Sequence, residues 1–392
     1  KPAQAHFARV HTQQQEHLAA QHPDVASTLN NLGIVLTHLN RDEEAVGRYD
    51  ESLRLHEKLE GPEHPNVALA SQNLGVALKR LGRLTEARAA FERAVEIRRK
   101  ALGFNHPESL RSAQSLVKLL ITLGDLEAAR GLLDEVKETR TLMSGADSVE
   151  MLAVLELETE LFLAGEFWGE ALQTATRHLA LAKARGPAGE KEISTALLEQ
   201  VAAWTQLGVW ADARKALAEV QRRQAAGDGS VDKAEVAERL GRLELAQGHP
   251  ELALAPLQLS LDLRLKPPAP PVVKGEPAPE PKAVRPSLST AKAELVLALA
   301  LIQAGKPVEA IPLAASAEQH FTESQNVALL LDAQVLKAQA TLLARPEERG
   351  ASTELLAALM PKLGDARRAP LADWLKKQGV ALPDAGVSPL RE

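Results

Sequence analysis

The sequence has no cysteine, very few aromatic residues and no long uninterrupted apolar run, and each shortage removes a class of protein. Without cysteine there are no disulfides, no thiolate metal sites and no cysteine nucleophile. A cysteine-free chain fits a reducing cytoplasm, which is the compartment we expect. Aromatic residues make up only 3% of the 392 positions. No stretch approaches eighteen residues without a charge or a turn signal, so no membrane span is expected. No block of five or six like charges occurs, and the formal net charge is a mild −6. Nothing therefore forms the basic footprint that nucleic acid or an anionic membrane requires.

What is present is a helix-forming composition. The apolar fraction of 45% is ordinary for a folded chain, but Ala and Leu dominate it and β-branched runs are scarce. These are the residues that lose least on entering a helix, which favours an all-α fold.

The strongest signal is an internal repeat. HPDVASTLNNLG from His22, HPNVALASQNLG from His64 and HPESLRSAQSLV from His106 align without gaps, 42 residues apart. A turn residue recurs at Asn40, Gly82 and Gly124. A small residue stands five positions later, at Ala45, Ala87 and Ala129, and a bulky one four further on, at Tyr49, Phe91 and Leu133. Small residues at fixed places let two helices approach, and the bulky one fills the gap beside them. The same turn recurs from Gly208, Gly248 and Gly305, with a looser version, one residue longer, from Gly165. In the linking segments Gly61 and Gly103 suit a left-handed helix end, and Pro23, Pro65 and Pro107 suit a first helical turn.

The spacing predicts an elongated α-solenoid of antiparallel helix pairs, each touching only its neighbours. Residues 1–21 read as the second helix of a truncated repeat, because a shift of 42 sets Ala3, Phe7 and Val10 opposite Ala45, Tyr49 and Ser52. The apolar face this leaves would be covered by upstream sequence or by self-association with a second copy. Residues 22–143 hold three repeats, 144–265 three divergent ones and 288–324 one more. Residues 325–380 hold a degenerate pair and a capping helix, and 381–392 a flexible tail. Between them, 266–287 (KPPAPPVVKGEPAPEPKAVRPS) is a Pro-rich insertion with almost no large apolar residue, expected to be disordered.

The pattern HP-x-VA…LNNLG…EA…(Y/F)…, and above all FERAVEIRRKALGFNHP from Phe91 to Pro107, resembles the 42-residue repeat of the kinesin light chain type, a long tetratricopeptide repeat. The resemblance is closest from residue 22 to about 143. Bacterial proteins carry many such arrays, often as tails of larger signalling proteins, and the Ala-rich repeats around VDKAEVAERLGRLELAQG are similar to those tails. The resemblance implies a right-handed superhelix whose first helices line a concave groove, and binding of an extended peptide or a neighbouring domain. The chain departs from the family in having Leu36 and Leu78 where an aromatic is usual, which thins the aromatic side of the groove.

Motifs for chemistry are missing. The Gly305–Lys306 pair is followed by Pro307, Gly227 and Gly229 lack a third glycine, and no HExxH, GxSxG or calcium-loop pattern occurs. The recurring His22, His64 and His106 are read as structural. We therefore expect no enzyme, no cofactor and no metal. The candidate binding constellation is an amide column, Asn30 and Asn31 with Gln72 and Asn73, joined by the cations Lys79, Arg80 and Lys118. A side-chain amide offers donor and acceptor to an extended chain, and the resemblance places such residues on the groove. The other reading of the same amides is that they bridge neighbouring helices inside the solenoid. Two further functions stay open: a regulatory or sensory tail of a larger signalling enzyme such as a bacterial serine/threonine kinase, and a self-assembling scaffold.

Composition also makes one local expectation measurable. Residues 266–287 cannot bury enough apolar surface to offset the entropy of ordering them. Deleting them should leave the helical circular dichroism of the remaining chain nearly unchanged, whereas a packed segment would lower the melting temperature markedly.

Overall fold

The computed structural model describes residues 22–266 and 287–380. The expected truncated helix with Ala3, Phe7 and Val10, the Pro-rich segment except its end residues, and the tail from 381 lie outside these. The described residues contain seventeen α-helices, three short 3-10 turns and no strand. Seven antiparallel pairs follow in order: α1 (Pro23–His38) with α2 (Asp42–Glu60), α3 (Pro65–Arg80) with α4 (Leu84–Leu102), and α5 (Pro107–Leu123) with α6 (Leu126–Ser144). Next come α7 (Met151–Ala164) with α8 (Trp168–Ala184), α9 (Glu190–Gln206) with α10 (Trp210–Ala225), and α11 (Lys233–Ala246) with α12 (Pro250–Leu265). The seventh is α13 (Leu288–Gln303) with α14 (Pro307–Glu323). The degenerate pair is α15 (Val327–Ala344) with α16 (Arg349–Leu359), and α17 (Asp365–Lys377) ends the array. The chain is an all-α solenoid.

Local chemistry explains where the first helices begin. The histidine of each His-Pro pair is an N-cap: Nδ1 of His22, His64 and His106 accepts the N–H of Asp24, Asn66 and Glu108, each at 3.2 Å. Proline in the first turn then loses no hydrogen bond, because that N–H has no helical partner anyway. The turns inside the pairs reverse through one left-handed residue. At Gly82 (φ 78°) the N–H of Arg83 donates back to the Leu78 carbonyl at 3.0 Å, satisfying a carbonyl that the helix end would leave bare. In the longer fourth turn the left-handed residue is Glu166 (φ 62°), not Gly165 (φ −87°), which corrects the expected register. Gly165 is needed for another reason: a Cβ there would lie 2.8 Å from the Phe167 ring.

Packing within each pair is set by size matching. The alanines five residues past the left-handed position, Ala45, Ala87, Ala129, Ala171, Ala213, Ala253 and Ala310, are all fully buried. Four residues on, Tyr49 and Phe91 lay their rings against the backbone of the preceding helix, where Gly33 and Gly75 stand. A Cβ would come within 2.6 Å of the Tyr49 ring at Gly33, and within 2.9 Å of the Phe91 ring at Gly75. In the third pair the smaller Leu133 faces the register position of Val117, and both are buried. One core cluster runs unbroken from Leu32 on α1 to Leu243 on α11, and three smaller ones continue it.

The array is not simply linear. The hydroxyl of Thr85 donates to Oε1 of Gln325 at 3.0 Å, and Nδ2 of Asn326 donates to the Thr122 carbonyl at 3.3 Å. Gly82 lies against Ser324 and His320, so a Cβ there would come 3.5 Å from the Ser324 Cβ. The expectation that each pair touches only its neighbours is therefore corrected. Each pair is rotated relative to the last, and by the end of the seventh the accumulated superhelix has brought α14 back over the turns of the second and third. Among the described residues one helix, α15, has the length and mean hydropathy (1.4) to cross a membrane. In this fold it is one more helix of the array, with Lys337 paired to Glu318 at 2.8 Å and Asp332 to Arg367 at 3.1 Å.

The glycine–aromatic match is testable. Gly75→Ala should destabilise the chain by about 1–2 kcal/mol, the overpacking cost outweighing alanine's better helix propensity. Adding Phe91→Leu should recover part of that loss, as the Val117 and Leu133 pairing does naturally. Chemical denaturation of the four members of this cycle checks the coupling, and simple additivity would refute it.

Candidate functional site

The seven predicted polar residues all stand on first helices, α1, α3 and α5. On α3 the helical repeat places Leu69, Asn73, Val76 and Lys79 on one stripe. Leu69 and Val76 are 41% and 39% exposed, unusual for large apolar side chains on a helix that otherwise buries them. Lys79 lies in the field of Lys118 on α5, Glu160 on α7 and Lys292 on α13. Charged groups on three other first helices thus act on Lys79.

The structure sorts the seven predicted residues. Asn30 is buried and its Oδ1 accepts from Nδ2 of Asn73 at 2.9 Å, so these two amides bridge α1 and α3. Asn31, one residue on, is exposed. Gln72 is buried, with an Oε1 that no protein donor reaches. Arg80 turns away from Lys79: its Nε meets Asp42 at 2.8 Å and its terminal nitrogen donates to Asn40 at 2.6 Å, tying α3 to the preceding turn. Lys118 is shared by Glu156 at 3.3 Å and Glu160 at 3.2 Å. Lys79 makes no hydrogen bond or ion pair with a described residue. Asn31, Lys79 and the buried Gln72 are therefore the members of the set that no hydrogen bond to a described residue commits. Among the described residues no group of three His, Asp or Glu side chains could hold a metal ion.

The sequence pattern of the tetratricopeptide repeat matches residues 3–58, 24–100 and 69–141 in overlapping stretches. Residues 3–141 are tetratricopeptide repeats. The fold of the whole array agrees. A Rap protein, solved in complex with competence and sporulation factor, is similar over 91% of this chain and 96% of its own, at TM-score 0.54 and 11% identity. BtubC (BKLC) from P. vanneervenii matches 58% of this chain and 92% of its own, at TM-score 0.50 and 18% identity. A kinesin light chain-like repeat protein from Podosopora anserina matches 52% of this chain and 97% of its own, at TM-score 0.47 and 21% identity. No curated protein matches the chain. The tetratricopeptide fold is generally a protein-interaction module and typically a non-catalytic scaffold.

The tetratricopeptide array also holds features that sequence inspection missed. A cleft of about 310 Å³ opens between α6, α7 and α8, beside Phe162, with Lys137 and Glu158 paired across it at 2.5 Å. Deeper in, His178 on α8 is fully buried, and its Nδ1 lies 2.9 Å from Oε2 of Glu199 on α9. Burial pushes the Glu199 carboxyl up to about 7; the hydrogen bond and charge of His178 pull the other way, while Glu156 and Glu160 add to the rise. Burial lowers His178, but the hydrogen bond and charge of Glu199, with Glu192 and Glu156 beyond, more than reverse it and raise the ring above its ordinary value. No spacing rule marks such a pair, because its members sit on different repeats and meet only on packing.

Both groups hold protons more tightly folded than unfolded. Between the ordinary Glu value of 4.5 and the folded value near 7, the native state therefore binds more protons, and stability falls as pH rises through that window. The loss approaches about 1.4 kcal/mol per pH unit for each proton released. Glu199→Gln fixes the neutral form and should flatten this slope between about pH 5 and about pH 7. Melting curves of both proteins across that range check it, and parallel slopes would refute it.

Proposed function

We propose that the chain holds an extended peptide segment of a partner protein along the concave face of its first helices. The observation that carries this reading is the α3 stripe, where exposed Leu69 and Val76 flank the Asn73 amide and lead to the uncommitted Lys79. Apolar groups that a first helix leaves in water gain most from a ligand side chain, at about 25 cal/mol per Å² covered. The neighbouring amides and ammonium fix the direction of the peptide main chain. Exposed Asn31 extends the same surface on α1. A Rap protein of similar fold carries competence and sporulation factor, which supports a ligand-holding role for an array of this size.

Asn73 and Asn31 should respond differently to substitution. Asn73→Ala strands the buried Asn30 amide and should cost about 1 kcal/mol of stability. Asn31→Ala should spare stability and weaken a peptide selected against the wild-type chain by about three- to ten-fold, the loss of one neutral hydrogen bond. Leu69→Asp should abolish that binding. Calorimetric titration beside thermal melts decides the matter. Unchanged affinity in both Asn31→Ala and Leu69→Asp would move the ligand off this face.

A further inference from the structure

The seam where the array closes holds a histidine that packing leaves without a partner. His320 stands on the last turn of α14, and Gly82 covers one edge of its ring. A Cβ on Gly82 would lie 3.7 Å from Cε1 and 3.8 Å from Nε2. Nε2 is buried and makes no hydrogen bond. The Gly82 backbone beside it is already used: its N–H donates to the Lys79 carbonyl at 3.1 Å, and its carbonyl accepts from Leu84 at 2.8 Å. The Phe321 ring meets His320 edge-on, with centroids 5.8 Å apart.

The turn after α14 makes the rest of the seam. Gln325 holds a left-handed backbone (φ 55°), which residues other than glycine seldom adopt, and its side chain accepts from Thr85 at 3.0 Å. Asn326 caps α15 with Oδ1 at 3.2 Å and reaches the Thr122 carbonyl with Nδ2 at 3.3 Å. Neighbouring residues of one turn thus hold pairs two and three.

A neutral ring suits this place and a charged one does not, because a second N–H and a positive charge would find no acceptor at Gly82. The charges on the elements packed about α14 are engaged or of the wrong sign. At the α3–α4 turn Arg80 meets Asp42 at 2.8 Å and Arg83 meets Glu86 at 2.6 Å. On α15 Lys337 is held by Glu318 at 2.8 Å and Asp332 by Arg367 at 3.1 Å. On α13 Glu294 accepts from Ser316 at 2.9 Å, and Lys292 is itself a cation. Glu323, on α14, favours protonation of the ring, but burial outweighs it and lowers His320 below the ordinary histidine value.

We propose that His320 is the proton-sensitive element of a latch on the superhelix: the α14–α15 turn sits on pairs two and three while the ring is neutral, and leaves them when it is protonated. The latch stands whether or not a peptide uses the α3 face. Its sign follows from proton counting. The closed seam binds fewer protons than the open one, so closure is full above the ordinary value of 6.5 and weakens as pH falls below it. The His178–Glu199 pair has the opposite sign, so mild acid loosens the latch without weakening the array through that pair.

Small-angle scattering of the full chain at about pH 7.5 and about pH 5.5 reads the latch, with far-ultraviolet circular dichroism beside it. Wild type should be closed at the higher pH and show a larger radius of gyration at the lower, with unchanged helicity. His320→Gln cannot take the proton and should keep one radius at both. Gln325→Gly relieves the left-handed backbone but removes the bond to Thr85, so its opening midpoint should rise by about half to one pH unit. A wild-type radius that does not change, or a rise in His320→Gln equal to that of wild type, overturns the proposal. Expansion accompanied by lost helicity is acid unfolding, and overturns it too. Should His320→Gln be open at both values, the titration of the ring itself decides, followed by nuclear magnetic resonance in wild type and Gln325→Gly. It should fall below 6.5 in wild type and move toward 6.5 in the variant. Equal values in the two would overturn the coupling between ring and seam.

Discussion

Everything in this molecule depends on how closely the two helices of a pair can approach. The distance is set by a fully buried alanine just past each turn and, in five of the seven pairs, by a bulky residue four positions on; Ala175 and Ala314 stand there in the fourth and seventh. Where that residue is an aromatic, the facing helix offers glycine, because no Cβ fits beneath the ring of Tyr49 or Phe91. Where it is leucine, valine is accommodated at Val117. Gly241 beneath Leu257 shows that the match is geometric rather than a simple exchange of volume, since a Cβ there would still meet the leucine at 2.4 Å. Close-packed interiors tolerate little misfit, so each pair has its own size match and each pair in turn sets how the next is placed.

The placement of successive pairs generates the interior surface. It brings α14 back to the turns at Gly82 and Thr122, and the contact there is light: two hydrogen bonds and the close seating of Gly82. Closure of this kind costs little to break and little to hold. It also concentrates charge. Charged residues on α3, α5, α7, α11 and α13 lie within electrostatic reach of one another.

The same repeat unit carries different chemistry along the array because packing leaves some positions unconstrained. The position six residues before the left-handed turn holds Ile34, Val76, Lys118, Glu160, Ala202, Arg242 and Leu299 in the seven pairs. Apolar residues stand there in the first two pairs and charges in several of those that follow. A bound chain would meet apolar contacts at one end and ionic ones further on, so its orientation would be set by composition.

The sequence alone determined the fold class, the pair boundaries and the His-Pro helix starts, because a 42-residue period imposes the same local physics on each copy. It also marked Asn31 and Lys79, as two of seven polar candidates. It could not separate these from Asn30, Asn73 and Arg80, since neighbours in sequence point to different sides of a helix only once that helix is docked. Asn73 reaches Asn30, and Arg80 reaches Asp42, through contacts between helices that no spacing encodes. The fourth turn was misplaced by one residue because Gly165 is a glycine for the sake of Phe167 rather than for its own φ. Only the tertiary structure decided that the array closes and that His178 meets Glu199. Closure depends on the summed rotation of several pairs. A repeat period states how one pair follows the last, but the small angle between them, accumulated over seven, decides which distant residues share a space.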